Sequence, residues 1–123
     1  AWIDSVLANA KEDWIIVAGH HPIYAETPKD DSERLDMQKR LDPILRKHKV
    51  DMYICGHIHN LQHIRKAGSN IDYVVNSAGS LARKVKPTEG PGFSIISADK
   101  KTLTLRMIDK KGNILHTVTR NSQ

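Results

Sequence analysis

Trp14-Ile15-Ile16-Val17-Ala18-Gly19-His20-His21-Pro22 and Val50-Asp51-Met52-Tyr53-Ile54-Cys55-Gly56-His57 are two short apolar runs, each closed by Gly-His. Runs of this kind, over 14–18 and 50–55, have the signature of strands covered on both faces. Between them, residues 20–32 hold prolines and acids and read as a loop. Ser32-Glu33 then opens a helix that runs through Leu35, Leu41, Ile44 and Leu45 to about His48, with Pro43 predicted to kink or divide it. A strand–helix–strand unit makes parallel neighbours with a fixed right hand, so the two strand ends should lie about 5 Å apart. His20 and His57 are therefore expected to face each other at the sheet's C-terminal edge, where open α/β sheets bind their ligands.

Outward from this unit, Trp2, Ile3, Val6, Leu7 and Ala10 recur at helical spacing and predict an amphipathic helix over 2–12. Downstream, short strands are expected at 61–66, 71–76, 92–98, 102–109 and 113–119, separated by turn residues and read as an antiparallel meander. The fold class is α/β, and with no linker or repeat the 123 residues form one unit. The opening Ala1-Trp2-Ile3-Asp4 reads as the inside of a helix with no capping residue before it, so a longer parent chain is expected.

No apolar run approaches the ~20 residues that a membrane-spanning helix needs, and no membrane partner is expected. The +5 formal charge and 19 basic residues would favour anionic partners, against the plainer reading of scattered solvated lysines. Nucleic acid is not expected, because the 5% aromatic content is not interleaved with basic residues as a stacking surface requires. The single cysteine, Cys55, excludes an intrachain disulfide and a CxxC knuckle, and its apolar setting predicts a buried structural thiol.

Several imidazoles in one small volume repel as cations and, as neutral rings, present lone pairs that want a partner. A metal ion meets both demands, and Zn, Fe and Mn accept nitrogen ligands. His57 and His59, two apart, would point the same way in an extended segment, whereas adjacent His20 and His21 would point apart. A lone loop histidine is more often structural, but two Gly-His elements at matching strand ends favour metal binding.

Gly19-His20-His21-Pro22-Ile23-Tyr24 and Gly56-His57-Ile58-His59-Asn60-Leu61-Gln62 resemble the last two motifs of the calcineurin-like metallophosphoesterases. The Asn-Leu-Gln continuation and Tyr73-Val74-Val75-Asn76-Ser77-Ala78-Gly79 resemble the purple, or tartrate-resistant, acid phosphatase branch. The resemblance implies the C-terminal half of a four-layer α/β/β/α sandwich, with residues 1–123 a portion of one catalytic domain. It implies His20 and His57 as ligands of a divalent metal and His59 as ligand of a second, ferric one, the pair being Fe with Zn, Mn or Fe. His21 matches no required ligand and is a possible substrate contact. Tyr24 and Lys29 are candidate substrate-binding residues. The loop histidine that the family uses on substrate has no counterpart in Thr27-Pro28-Lys29-Asp30-Asp31, and the family's earlier Asp-x-His, Gly-Asp and Gly-Asn-His motifs are not in this sequence.

The implied reaction is hydrolysis of phosphate monoesters by the parent enzyme, with a metal-activated hydroxide attacking phosphorus in line with the leaving alkoxide. The alternatives are a phosphodiesterase or nucleotidase of the same superfamily, or a metal-binding or interaction domain without catalysis. The 123 residues alone are expected to be inactive and to associate with the missing N-terminal half or a second copy. Export is a common property of the resembled branch and gives an extracytoplasmic expectation. His63, His48 and His116 are expected to be structural or surface residues, and Asn76 and Ser77 could approach the site.

Overall fold

The computed structural model describes residues 2–27, 32–76 and 92–122. In chain order these form α1 (Trp2–Ala8), β1 (Ile16–Ala18), α2 (Ser32–Arg40), α3 (Asp42–Lys47), β2 (Met52–Cys55), β3 (Leu61–Ile64), β4 (Asp72–Asn76), β5 (Gly92–Ala98), β6 (Thr102–Asp109) and β7 (Ile114–Asn121). The expected crossover is present: β1 and β2 pair in parallel, with Ile16, Val17 and Ala18 opposite Met52, Tyr53 and Ile54. The predicted long helix is divided into α2 and α3, with Pro43 in the first turn of α3, where its missing N–H costs nothing.

The downstream strands do not make one meander. β3 and β4 join the first sheet, whose order is β1-β2-β4-β3, and β4 runs parallel to β2. Only β5, β6 and β7 form the separate antiparallel sheet. The reason lies in Tyr73-Val74-Val75, buried at every position as a central strand covered on both faces must be.

Alternation sets the layers. Tyr53 and Cys55 of β2, with Tyr73 and Val75 of β4, pack with Leu7 of α1 and Leu45 of α3. Met52 and Val74 face the other way, onto Leu103, Leu105 and Met107 of β6 and Val118 of β7. The result is a helical layer, the mixed sheet and the antiparallel sheet, an α/β architecture with an apolar core on each side of the first sheet. Leu103, Leu105 and Met107 are no more than 1% exposed, and each such side chain contributes ~1.5–3 kcal/mol on burial.

Three local expectations need correction. The first helix ends at Ala8 rather than 12, and Trp2 (79% exposed) and Val6 (47%) lie outside the core that Leu7 enters. Among the described residues β1 is the edge of its sheet: Ile16 is 38% exposed, and Val17, with Ile15 just before the strand, packs on the helical side. Trp14 precedes the strand, and its indole N–H donates to the Asp99 carbonyl, tying the entry of β1 to the turn between β5 and β6.

The two sheets are also joined at one margin by a polar cluster. Asp72, 1% exposed, accepts hydrogen bonds from Arg65 Nε (2.6 Å), Arg120 Nη1 (2.8 Å) and His63 Nε2 (2.8 Å). Burial alone would raise the Asp72 carboxyl, but these donors outweigh it and hold it well below the usual carboxylate range. His63 is structural, as expected, and His116 is an exposed surface residue, as expected, whose Nε2 lies 2.8 Å from His63 Nδ1. His48 is likewise engaged, 2.5 Å from Asp4, fastening α1 to the end of α3.

Candidate metal centre

Strand pairing continues past the ends of β1 and β2 into the Gly-His elements. The Gly19 amide donates to the Ile54 carbonyl (3.0 Å), and the Gly56 amide donates to the His20 carbonyl (3.0 Å). Backbone hydrogen bonds thus fix the spacing of the two histidine segments before any side chain is considered. His20 Nε2 lies 3.1 Å from His57 Nδ1, and the ring centroids are 5.0 Å apart. His21 completes the group at 4.8 Å from the His20 ring and 4.7 Å from the His57 ring. One nitrogen from each of the three imidazoles falls within 4.8 Å of the other two, with His20 exposed and the others half-buried.

Beneath this group, Gly19 is required by close approach. A Cβ there would lie 2.3 Å from the Tyr53 hydroxyl. That hydroxyl, at the end of a buried ring, donates to the His21 carbonyl at 2.8 Å, and burial raises the phenol's pKa, so it stays a donor. His57 and His59 have φ of 77° and 64°. Non-glycine residues adopt that left-handed region only where the surroundings hold them, and such residues cluster at functional sites. The expected extended path through His57–His59 is therefore absent, and His59 turns on a bend, half-buried and outside the three-histidine group. The adjacent rings of His20 and His21, expected to diverge, meet because residues 20–21 lie on a bend rather than in a strand.

A second device fixes the loop after β1. Gln62 Oε1 accepts from the Glu26 amide (2.8 Å), while Gln62 Nε2 donates to the Glu26 carbonyl (2.6 Å) and to Asn60 Oδ1 (3.1 Å). Asn60 and Gln62 are both fully buried. Sequence reasoning used Asn-Leu-Gln only as a mark of resemblance; two amides in an otherwise apolar strand entry were the available signal for a backbone clamp.

Tyr24 is placed in packing contacts. Its hydroxyl donates to Asp42 Oδ2 (2.9 Å) and accepts from Arg46 (3.1 Å), and its ring meets Tyr73 edge-on at 4.7 Å. Lys29 and Ser77 lie outside the described residues. Asn76 accepts from the Ser94 hydroxyl at 3.0 Å, a link between β4 and β5. Cys55 is a buried thiol whose pKa is pushed up to about 12 by burial.

Residues 1–61 match the family model of calcineurin-like phosphoesterases. Purple acid phosphatase 3 of Arabidopsis thaliana is 32% identical over 93% of this chain and 34% of its own length. Tartrate-resistant acid phosphatase type 5 of Rattus norvegicus is 39% identical over 94% of this chain and 39% of its own. The chain belongs to the calcineurin-like phosphoesterase family.

Among solved structures, GAP50, described as the anchor in the inner membrane complex of Plasmodium, superposes on this phosphoesterase chain with a TM-score of 0.77 at 24% identity. That match spans 100% of this chain and 42% of that one, and it shows the shared fold. The chain thus spans about a third of the curated phosphatases it resembles, from 34% of the plant protein to 39% of the rat one. The family match ends at Leu61, just past the second Gly-His element, so it contains both strand ends that build the histidine group.

Proposed function

We propose that the protein to which this chain belongs hydrolyses phosphate monoesters, and that this chain carries the histidine side of its metal centre. The observation that supports this most is the convergence of three imidazoles from two parallel strand ends, in a chain related to acid phosphatases. The donor set fits a metal: neutral imidazole nitrogens suit zinc, iron and manganese, and their spacing lets several reach one ion. His20 and His57 would hold one metal and His59 would serve a second, making the pair Fe with Zn, Mn or Fe. Bound there, the metals would supply positive charge to the phosphoryl oxygens and acidify a water molecule.

The chain's own residues supply position. The Gly19 and Gly56 amides set the strand ends, Tyr53 holds the His21 carbonyl, and Gln62 clamps the loop that carries Tyr24 past the site. Tyr24 and Lys29 are proposed on the substrate side, Tyr24 as a packed wall.

Residues 1–123 are proposed as the C-terminal portion of one catalytic domain. Among the described residues the metal-competent group holds three histidines and no carboxylate, so the chain alone is proposed not to turn over substrate. Its open surfaces fit the same reading. Ile16 on the β1 edge is 38% exposed, and Phe93 (49%), Ile95 (46%) and Ile114 (58%) leave apolar area on β5 and β7. Edges and patches of this kind expect cover, which we assign to the rest of the domain or, without it, a second copy.

The test is steady-state hydrolysis by the full-length protein of a phosphate monoester and a diester, after chelation and after metal reconstitution. Metal-restored activity favouring the monoester is expected. Diester preference would select the phosphodiesterase alternative, and no activity with metal bound would select the binding-domain one.

A further inference from the structure

Resemblance gives His21 no ligand role, yet the structure places its ring in the metal-competent group and supplies it with a carboxylate. His21 Nε2 lies 2.5 Å from Glu33 Oε2, while the same ring stands within 4.8 Å of both His20 and His57. Two backbone anchors hold this arrangement: the His20 carbonyl accepts from the Gly56 amide, and the His21 carbonyl accepts from Tyr53. Glu33 itself is carried in the first turn of α2.

An imidazole has two nitrogens, and a carboxylate on one of them decides what the other can do. With Nε2–H donated to Glu33, Nδ1 keeps its lone pair. Metal-ligating histidines characteristically donate their second N–H to a carboxylate, which fixes tautomer and ring orientation and raises basicity. An ordinary exposed ion pair needs no third partner and contributes little. This pair instead ends inside a cluster of imidazole nitrogens. Three imidazoles with a further position left open is also a donor set that catalytic zinc accepts.

We infer that His21 is a third imidazole ligand of the metal held by His20 and His57, and that Glu33 is its positioning residue. The inference rests on the metal-centre reading above and deepens it.

Zinc titration by calorimetry on the metal-free full-length protein tests it, with His20→Ala, His57→Ala, His21→Ala, Glu33→Ala and Glu33→Gln compared with wild type. The His21 and Glu33 side chains are 37% and 60% exposed, so these replacements spare the core; circular dichroism confirms that each variant is folded. His21→Ala should weaken zinc binding as severely as His57→Ala, and Glu33→Ala should weaken it about 10–100-fold. Glu33→Gln, which keeps an acceptor oxygen without its charge, should fall between. Imidazole ¹⁵N spectra of the zinc-free full-length protein should show His21 as the Nε2–H tautomer, and that preference should fade in Glu33→Ala. If His20→Ala and His57→Ala lose affinity while His21→Ala or Glu33→Ala stays within about twofold of wild type, less than any outer-shell effect, this inference is overturned and the metal centre stands. If the full-length wild type binds no zinc, or binds it undiminished without His20 and His57, both fall together.

Discussion

Replacing Gly19 by Ala probes the packing that sets the histidine group. The new Cβ would lie 2.3 Å from the Tyr53 hydroxyl oxygen and 3.2 Å from the ring carbon bearing it. Ordinary contact requires the hydroxyl to retreat by on the order of 1 Å. Tyr53 is 1% exposed and its hydroxyl is bonded to the His21 carbonyl at 2.8 Å, so retreat disturbs a filled core and breaks that bond. Overpacking costs about 1–3 kcal/mol and the lost hydrogen bond about 1 kcal/mol, so Gly19→Ala should destabilise by roughly 2–4 kcal/mol. Tyr53→Phe removes the clashing atom and should cost only the hydrogen bond, about 1 kcal/mol. In the double variant the Cβ meets little obstruction, so its cost should be about 1–2 kcal/mol rather than the sum of the singles. The assay is urea denaturation of all four chains at one protein concentration, read as a double-mutant cycle. Additivity within ~0.5 kcal/mol would refute the close-approach role assigned to Gly19.

Asp72→Asn removes the buried anion shared by Arg65, Arg120 and His63 but leaves Arg120 its 3.3 Å contact with Asp51, so it should cost about 1.5–3 kcal/mol in the same denaturation assay. Because the Asp72 carboxyl is depressed in the folded state, its stabilisation is present above the ordinary carboxylate pKa of about 3.9 and is lost as pH falls below it. Wild type should weaken on acidification through that range and Asp72→Asn should show a flatter profile; parallel profiles would contradict the assignment. Cys55, 5% exposed with a thiol pKa pushed up to about 12, should resist alkylation at neutral pH until the chain is unfolded, and rapid native labelling would contradict its burial. Light scattering of the isolated chain should show association through its apolar edges, and a stable monomer would remove the need for cover.

The strand–helix–strand unit was legible because two apolar runs ended alike, and their pairing follows from chain handedness. The division of the helix followed from Pro43. The path of β4 was not legible: Asp72-Tyr73-Val74-Val75 reads as a strand, but nothing local distinguishes a hairpin partner in a meander from an insertion beside β2. The unbroken apolar run Tyr73-Val74-Val75 was the one hint. At the site, His20 opposite His57 could be derived from register, whereas the orientation of neighbouring rings could not. Side-chain direction at 20–21 and 57–59 depends on bends and positive φ, which composition does not encode for histidine as it does for glycine. The Glu33–His21 contact joins residues on either side of the loop after β1 and had no periodicity to announce it. Gln62 did offer a signal, an amide beside Asn60 at a strand entry, but its partner Glu26 could not be read from the sequence.

The most direct test of the central claim is metal content, measured by elemental analysis alongside phosphomonoester hydrolysis, in the full-length protein carrying His57→Ala. His57 faces His20 at 3.1 Å across the two strand ends, so its loss should lower bound metal and abolish hydrolysis together. Wild-type metal content with wild-type turnover in that variant would contradict the claim that these strand-end histidines hold the catalytic metal.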